Sequence, residues 1–217
     1  MTEKPYVICI AGTSGSGKTT LAKKVSSQLS GAPILSLDDY FEYLEGWPKD
    51  IRQWLDQGGK MADLSNPRMV QDIQSLLNGE SIIHPTNREK IPSNNFIIIE
   101  DPSGKERPEL AALIDYLIYI NLPQDIGLLR IVQRMINSTT KNEEGEFVPL
   151  REINPELLFN KIMNFLNQYS LVYRDLYATV CEIVQQKADL IVTGLEDINS
   201  LALEVVKKIH EQHGKEK

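Results

Sequence analysis

Several things are scarce in this 217-residue chain, and each scarcity closes off a class of function. There are only two cysteines, Cys9 and Cys181, with no spacing that suits a metal cluster. They read as buried thiols of a protein kept in a reducing compartment, not as a disulfide framework. No cluster of Lys and Arg offsets the net charge of −7, so nucleic acid is not expected as a main partner. No apolar run approaches the length that spans a bilayer, so no membrane contact is expected. Met1-Thr2-Glu3-Lys4-Pro5 leads directly into an apolar run, and no secretory leader is expected there. Internal repeats and low-complexity tracts are also missing. What remains has an ordinary soluble composition, 41% hydrophobic and 24% charged.

The informative stretch is Gly12-Thr13-Ser14-Gly15-Ser16-Gly17-Lys18-Thr19-Thr20, which meets the phosphate-loop pattern G-x-x-x-x-G-K-[ST] at every fixed position. Glycines let bare backbone N–H groups approach a phosphate chain. A lysine there reaches the β- and γ-phosphates, and the Thr19 hydroxyl is placed for Mg²⁺. The context is the required one. Tyr6–Ala11 is an apolar, β-branched run that suits a buried parallel strand. Thr20–Leu29 places Leu21, Val25 and Leu29 on one helix face. A flexible Gly/Ser linker would have neither flank.

Further along, Ile34–Leu37 reads as a short strand that delivers Asp38 and Asp39, and Phe96–Glu100 as a buried strand that delivers Glu100 and Asp101. Carboxylates at the C-terminal ends of parallel strands lie on the ligand edge of an α/β sheet. Asp38 or Asp39 has the alternative role of capping the next turn. Residues 47–55 suggest an amphipathic helix. Asn66-Pro67 opens a clearer one, carrying Met69, Val70, Ile73, Leu76 and Leu77 on one stripe. Residues 81–95 suggest a short strand and a loop or hairpin, with His84 in a structural role. Tyr116–Leu122 and 188–193 are further core strands. From Pro123 a helix runs to about Asn137 with Ile126, Leu129, Val132 and Met135/Ile136 inward and with Arg130 and Arg134 on a shared face. Ser138–Ile153 is polar and reads as a lid segment, followed by a long helical stretch from Asn154-Pro155 to about Lys187 and a terminal helix over 201–212. This order predicts an α/β fold: a three-layer α/β/α sandwich of the P-loop NTPase type, with a mostly parallel sheet of about five strands. The whole of 1–217 is expected to be one domain, with a substrate-side insertion at about 42–95 and a lid at about 135–160.

On the phosphate loop, Leu37-Asp38-Asp39-Tyr40-Phe41, Phe96–Glu100, the Arg130/Arg134 helix and Ala188-Asp189-Leu190-Ile191, the chain resembles the uridine kinase family of phosphate-loop kinases over nearly its whole length. The resemblance implies an ATP- and Mg²⁺-dependent cytoplasmic kinase that acts on a hydroxyl of a nucleoside or related metabolite. It implies Asp38 as the catalytic base and Glu100, with Thr19 and Asp38, around Mg²⁺. Lys18, Arg130 and Arg134 would stabilise the transferring phosphoryl, and Tyr40 and Tyr169 are carried as substrate-side candidates beside Asp38. The chain departs from the family at three places. Ile131 and Met135 replace members of the arginine-rich R-R-x-x-R-D stretch. Leu64-Ser65-Asn66-Pro67 stands where the family has Phe-Asp-His-Pro to hold ribose. The base-recognising hairpin has no match in 84–92. Two other readings stand beside this one. A GTPase is suggested by Asp101-Pro102-Ser103-Gly104 and a distant echo of N-K-x-D in Gln186-Lys187-Ala188-Asp189. A non-catalytic regulatory nucleotide binder is suggested by the incomplete lid motif. Self-association is left open.

Overall fold

The computed structural model describes residues 4–142, 145–149 and 152–215. Glu143 and Glu144, the acidic centre of the expected lid, lie outside the described residues, as do Met1–Glu3.

A five-stranded sheet in the order β2-β5-β1-β6-β7 organises the chain: β1 Tyr6–Gly12, β2 Ile34–Ser36, β5 Phe96–Glu100, β6 Tyr116–Asn121 and β7 Leu190–Thr193. Every pairing in it is parallel. A separate antiparallel pair, β3 Ile82–Ile83 with β4 Lys90–Ile91, forms the hairpin expected in 81–95. Strand parity sorts the side chains. Ile8 and Ile10 of β1, Ile98 of β5 and Ile118 and Ile120 of β6 pack under α1 (Lys18–Gln28) and α8 (Ile198–His213). Val7, Cys9, Ile97, Ile99, Leu117 and Tyr119 face the other way. They meet Met69, Ile73 and Leu76 of α3 (Pro67–Leu77) and Val184 of α7 (Arg174–Gln186). Helices on both faces make the three-layer sandwich, and each fully buried aliphatic side chain contributes on the order of 1.5–3 kcal/mol. A smaller cluster of Met61, Leu64 and Leu176, joined by Trp47, Trp54 and Tyr173, packs the 42–66 segment against α7.

Local chemistry sets the helix starts. Asp50 accepts from the Gln53 N–H and begins α2 (Ile51–Asp56), after the Trp47-Pro48 pair that was expected inside it. Asn66 caps α3 through the Met69 N–H, Asn154 caps α6 (Pro155–Gln168), and Asp197 starts α8 at Ile198, ahead of the expected 201. The helix α5, Gln124–Thr140, outlasts the expected end at Asn137 and takes in the first residues of the polar segment. Its buried positions are Gly127 and Ile131, whereas Leu129 and Ile136, expected inward, are exposed. The long stretch 155–186 is helical as expected but contains a π-helical turn at Tyr169–Tyr173. A short helix, α4, spans Pro108–Ala111. Among the described residues no helix is long and apolar enough to cross a membrane.

Candidate active site

The loop between β1 and α1 needs glycine for steric reasons that the fold makes explicit. Gly12 has φ 147°, and a Cβ there would lie 2.9 Å from the Ile120 carbonyl oxygen. Gly15 has φ 81°, and its Cβ would come within 2.5 Å of the Gly127 carbonyl oxygen. The start of α1 has no side-chain cap and no acidic residue in its first turn, whereas Asp50, Asn66, Asn154 and Asp197 cap α2, α3, α6 and α8. Its N–H groups and the positive end of its dipole are thus left for an anion. Among the described residues the buried hydroxyls of Thr13 and Ser16 also have no hydrogen-bond partner, as suits groups that await one.

Around this loop opens a cavity of about 410 Å³, lined by Ser14–Thr20, Asp38, Glu100, Arg130 and Arg134, and on its far side by Gly194, Glu196, Ile198 and Leu201. The Lys18 ammonium folds back to the Thr13 carbonyl at 3.1 Å. Burial lowers its pKa, and the negative fields of Glu100 and Asp38 pull it back up. The Thr19 hydroxyl donates to Glu100 Oε1 at 2.6 Å. This contact follows from strand parity, since Glu100 shares the sheet face of Ile98, the face covered by α1. Asp101 takes the opposite course. It is fully buried, accepts from the Ser103 N–H at 2.8 Å and Oγ at 2.5 Å, and is paired with the buried Arg107. The D-x-x-G of the GTPase reading is therefore a structural turn. Its second half fares likewise, because Asp189 accepts from the Leu117 N–H at 2.7 Å and from Lys105 at 2.9 Å.

The two aspartates after β2 also separate. Asp38 is exposed on the cavity wall. Asp39 turns to the β3–β4 hairpin, where it accepts from the Thr86 hydroxyl at 3.2 Å and lies 3.6 Å from His84 Nε2. Nδ1 of His84 accepts from the Thr86 N–H, so the ring is committed to the hairpin.

Three expectations need correction. Tyr40 is not on the substrate side: it is 1% exposed, and its hydroxyl donates to Asp72 at 2.9 Å within the core under α3. Tyr169 is absent from the cavity wall and reaches Gln124 at 3.5 Å. Arg130 and Arg134 do share a face of α5, but they do different things. The Arg130 guanidinium donates to the Gly15 carbonyl at 3.3 Å and the Gly194 carbonyl at 2.9 Å, and so joins the phosphate loop to the end of β7. Arg134 stands exposed on the cavity wall. Two contributors escaped the sequence. Glu196 lies in the turn after β7, legible only as another strand end on the same sheet edge. Tyr177 donates to Ser14 at 3.0 Å across 163 positions, and no local pattern signals it.

The uridine kinase of Bacillus cereus (strain B4264) is 33% identical to this chain over 147 residues, covering 62% of the chain and 69% of the relative. The chain belongs to the uridine kinase family. Similarity to other members runs further at lower identity. The uridine kinase of Bacillus cereus (strain G9842) is 28% identical over 203 residues, 88% of this chain and 86% of the relative. That of Clostridium perfringens (strain SM101 / Type A) is 28% identical over 226 residues, 98% and 99% of the two chains. No protein-family model matches. This family member is a phosphate-loop kinase, an enzyme of phosphoryl transfer, and the cavity around Gly12–Thr20 is where its fold gathers the groups suited to that chemistry.

Proposed function

We propose that the protein is an ATP- and Mg²⁺-dependent kinase that moves the γ-phosphoryl group of ATP to a hydroxyl of a small molecule, a nucleoside or related metabolite. One observation carries the reading: the phosphate loop, Lys18, the Thr19–Glu100 pair, Asp38 and Arg134 all line a single cavity. The loop N–H groups and Lys18 hold the β- and γ-phosphates. The hydroxyl of Thr19 and the carboxylates of Glu100 and Asp38 are hard oxygen donors of the kind Mg²⁺ takes. Among the described residues no three His, Cys, Asp or Glu side chains form a metal cage, and Mg²⁺ that arrives on a nucleotide needs only one or two protein ligands. When bound, the metal supplies charge neutralisation between the phosphates.

The acceptor oxygen attacks the γ-phosphorus, the bond to the β-phosphate oxygen breaks, ADP leaves, and the hydroxyl proton passes to the Asp38 carboxylate. Arg134 neutralises charge on the equatorial oxygens. Arg130, bound to the Gly15 and Gly194 carbonyls, acts by fixing the loop. The transition state is loose, so positioning and electrostatics supply most of the acceleration. In this reading the segment at about 42–95 serves the acceptor side and that at about 135–160 the lid, and the free thiols Cys9 and Cys181 fit a cytoplasmic enzyme.

The names of the relatives make uridine the first acceptor to try. The residues at 64–67 argue for trying others. Leu64 is buried in the cluster with Met61 and Leu176. The Asn66 side chain is spent on the Met69 N–H and on the Tyr40 carbonyl at 2.9 Å. The test is ADP release from ATP and Mg²⁺ with uridine, other nucleosides, nicotinamide riboside, pantothenate, small sugars and glycerate. One acceptor should give turnover, and Asp38→Asn should lower it by roughly 10²–10⁴-fold. Full turnover by that variant would remove Asp38 as the base. A flat response across acceptors, with ATP still bound, would favour a regulatory nucleotide binder.

A further inference from the structure

The long helical stretch behind the phosphate loop carries a row of half-buried rings: Phe165, Tyr169, Tyr173 and Tyr177. Tyr173 and Tyr177 are stacked, with centroids 6.0 Å apart and planes at 15°. Tyr169 meets Tyr177 edge-on at 6.3 Å, and Phe165 stacks on Tyr173 at 6.5 Å. Residues four apart on an α-helix overshoot a full turn by about 40°, so a row of them winds away from a fixed target. A π-helical turn at Tyr169–Tyr173 interrupts that α-helical spacing. Phe165 also meets Tyr169 at 6.1 Å, so the four rings close into a cluster in which each touches two others, and from it the Tyr177 hydroxyl reaches the phosphate loop and donates to Ser14 Oγ at 3.0 Å. Burial keeps this phenol protonated, above its ordinary range, and so able to donate. At its flank Tyr173 packs into the cluster formed by Met61, Leu64 and Trp47.

We propose that Tyr177, held in place by this cluster of rings, is a positioning residue for nucleotide binding: its hydroxyl fixes Ser14 and with it the N–H groups of the phosphate loop. Arg130 and Gly127 of α5 close on the loop from the other side, the first through the Gly15 carbonyl and the second against the Ser14 carbonyl. The loop tip is thus clamped between α5 and α7, and a loop fixed before ATP arrives loses less conformational entropy on binding. The inference rests on reading Gly12–Thr20 as the phosphate site of ATP.

The test is calorimetric titration of the full chain with ATP and Mg²⁺, for the wild type, Tyr177→Phe, Ser14→Ala and the double variant, each with a thermal unfolding scan. Tyr177→Phe keeps the rings and removes one hydrogen bond. It should weaken ATP binding by about 3- to 10-fold with an unfolding midpoint within about 2 °C of wild type. The double variant should lose no more affinity than the worse single variant, because both remove the same bond. Unchanged ATP affinity in Tyr177→Phe would overturn the proposal, as would a double variant whose loss is the product of the two single losses. An affinity loss accompanied by a fall of several degrees would assign Tyr177 to stability alone and overturn it too. A wild-type chain that binds no ATP would sink the phosphate-site reading itself.

Discussion

Glu100 and Asp101 are adjacent, both acidic and nearly or fully buried at 5% and 0% exposure, yet their removal should have opposite consequences. Asp101→Asn keeps the shape of the side chain and an acceptor for the Ser103 N–H. It leaves the Arg107 guanidinium buried opposite a neutral amide. Among the described residues nothing else accepts from Nε or Nη1 of Arg107, and the field of Glu109 is what remains to offset its charge. Breaking a buried pair from one side costs about 3–5 kcal/mol. With an unfolding entropy of about 2.1 cal/mol/K per residue, that cost lowers the midpoint of this 217-residue chain by about 7–11 °C. ATP affinity of the folded variant should stay within about twofold, since Asp101 faces away from the cavity. Glu100→Gln inverts the pattern. The amide still accepts from Thr19, so the midpoint should move by less than about 2 °C. The lost negative charge beside Thr19, where the proposed metal would sit, should lower turnover by a hundredfold or so. Scanning calorimetry and ADP release on both variants decide the matter. An Asp101→Asn protein that melts like wild type but fails to turn over would refute the argument from strand parity, and so would a Glu100→Gln protein that loses several degrees and keeps its activity.

Three further outcomes follow from the same geometry. Arg134→Met should lower turnover by about 10²-fold or more with a small effect on the melting midpoint, while Arg130→Met, which cuts two bonds between loop and β7, should lower both ATP affinity and the midpoint; kinetics and melting curves separate them. Gly127→Ala brings a Cβ to 3.0 Å from the Ser14 carbonyl and should weaken ATP binding several-fold, read by titration, although alanine favours the helix by about 1 kcal/mol. Burial pushes the Cys9 thiol up to about 12, so at pH 8 it should stay unalkylated by iodoacetamide in the folded protein and react on unfolding in urea, as mass spectrometry of the peptide would show.

Phosphate chemistry was legible in the sequence because it depends on contiguous residues. Gly12–Thr20 must be glycine-rich, must carry Lys18 and Thr19, and must sit between an apolar strand and a helix, all within a window that local spacing reports. The buried strands at 6–12, 96–100 and 116–121 were equally plain, since parallel strands covered on both faces are apolar throughout. The carboxylates at strand ends were located to within a residue. Which member of each pair faces the cavity depended on the tertiary structure: Asp38 against Asp39 turns on the position of the β3–β4 hairpin, and Glu100 against Asp101 on which sheet face α1 covers. Arg130 and Arg134 look alike on a helical wheel, and only the approach of Gly15 and Gly194 to α5 distinguishes them. Tyr40 was misplaced because its partner Asp72 is brought in by packing of α3. The contact between Tyr177 and Ser14 joins residues 163 positions apart, one on α7 and the other in the phosphate loop. Sequence alone determined that a phosphate-loop pattern sits on a parallel α/β sheet, because short-range backbone and side-chain requirements suffice for that. The tertiary structure decided which acids, which arginine and which tyrosine meet the loop, because that selection is made by the packing of distant elements onto the two faces of the sheet.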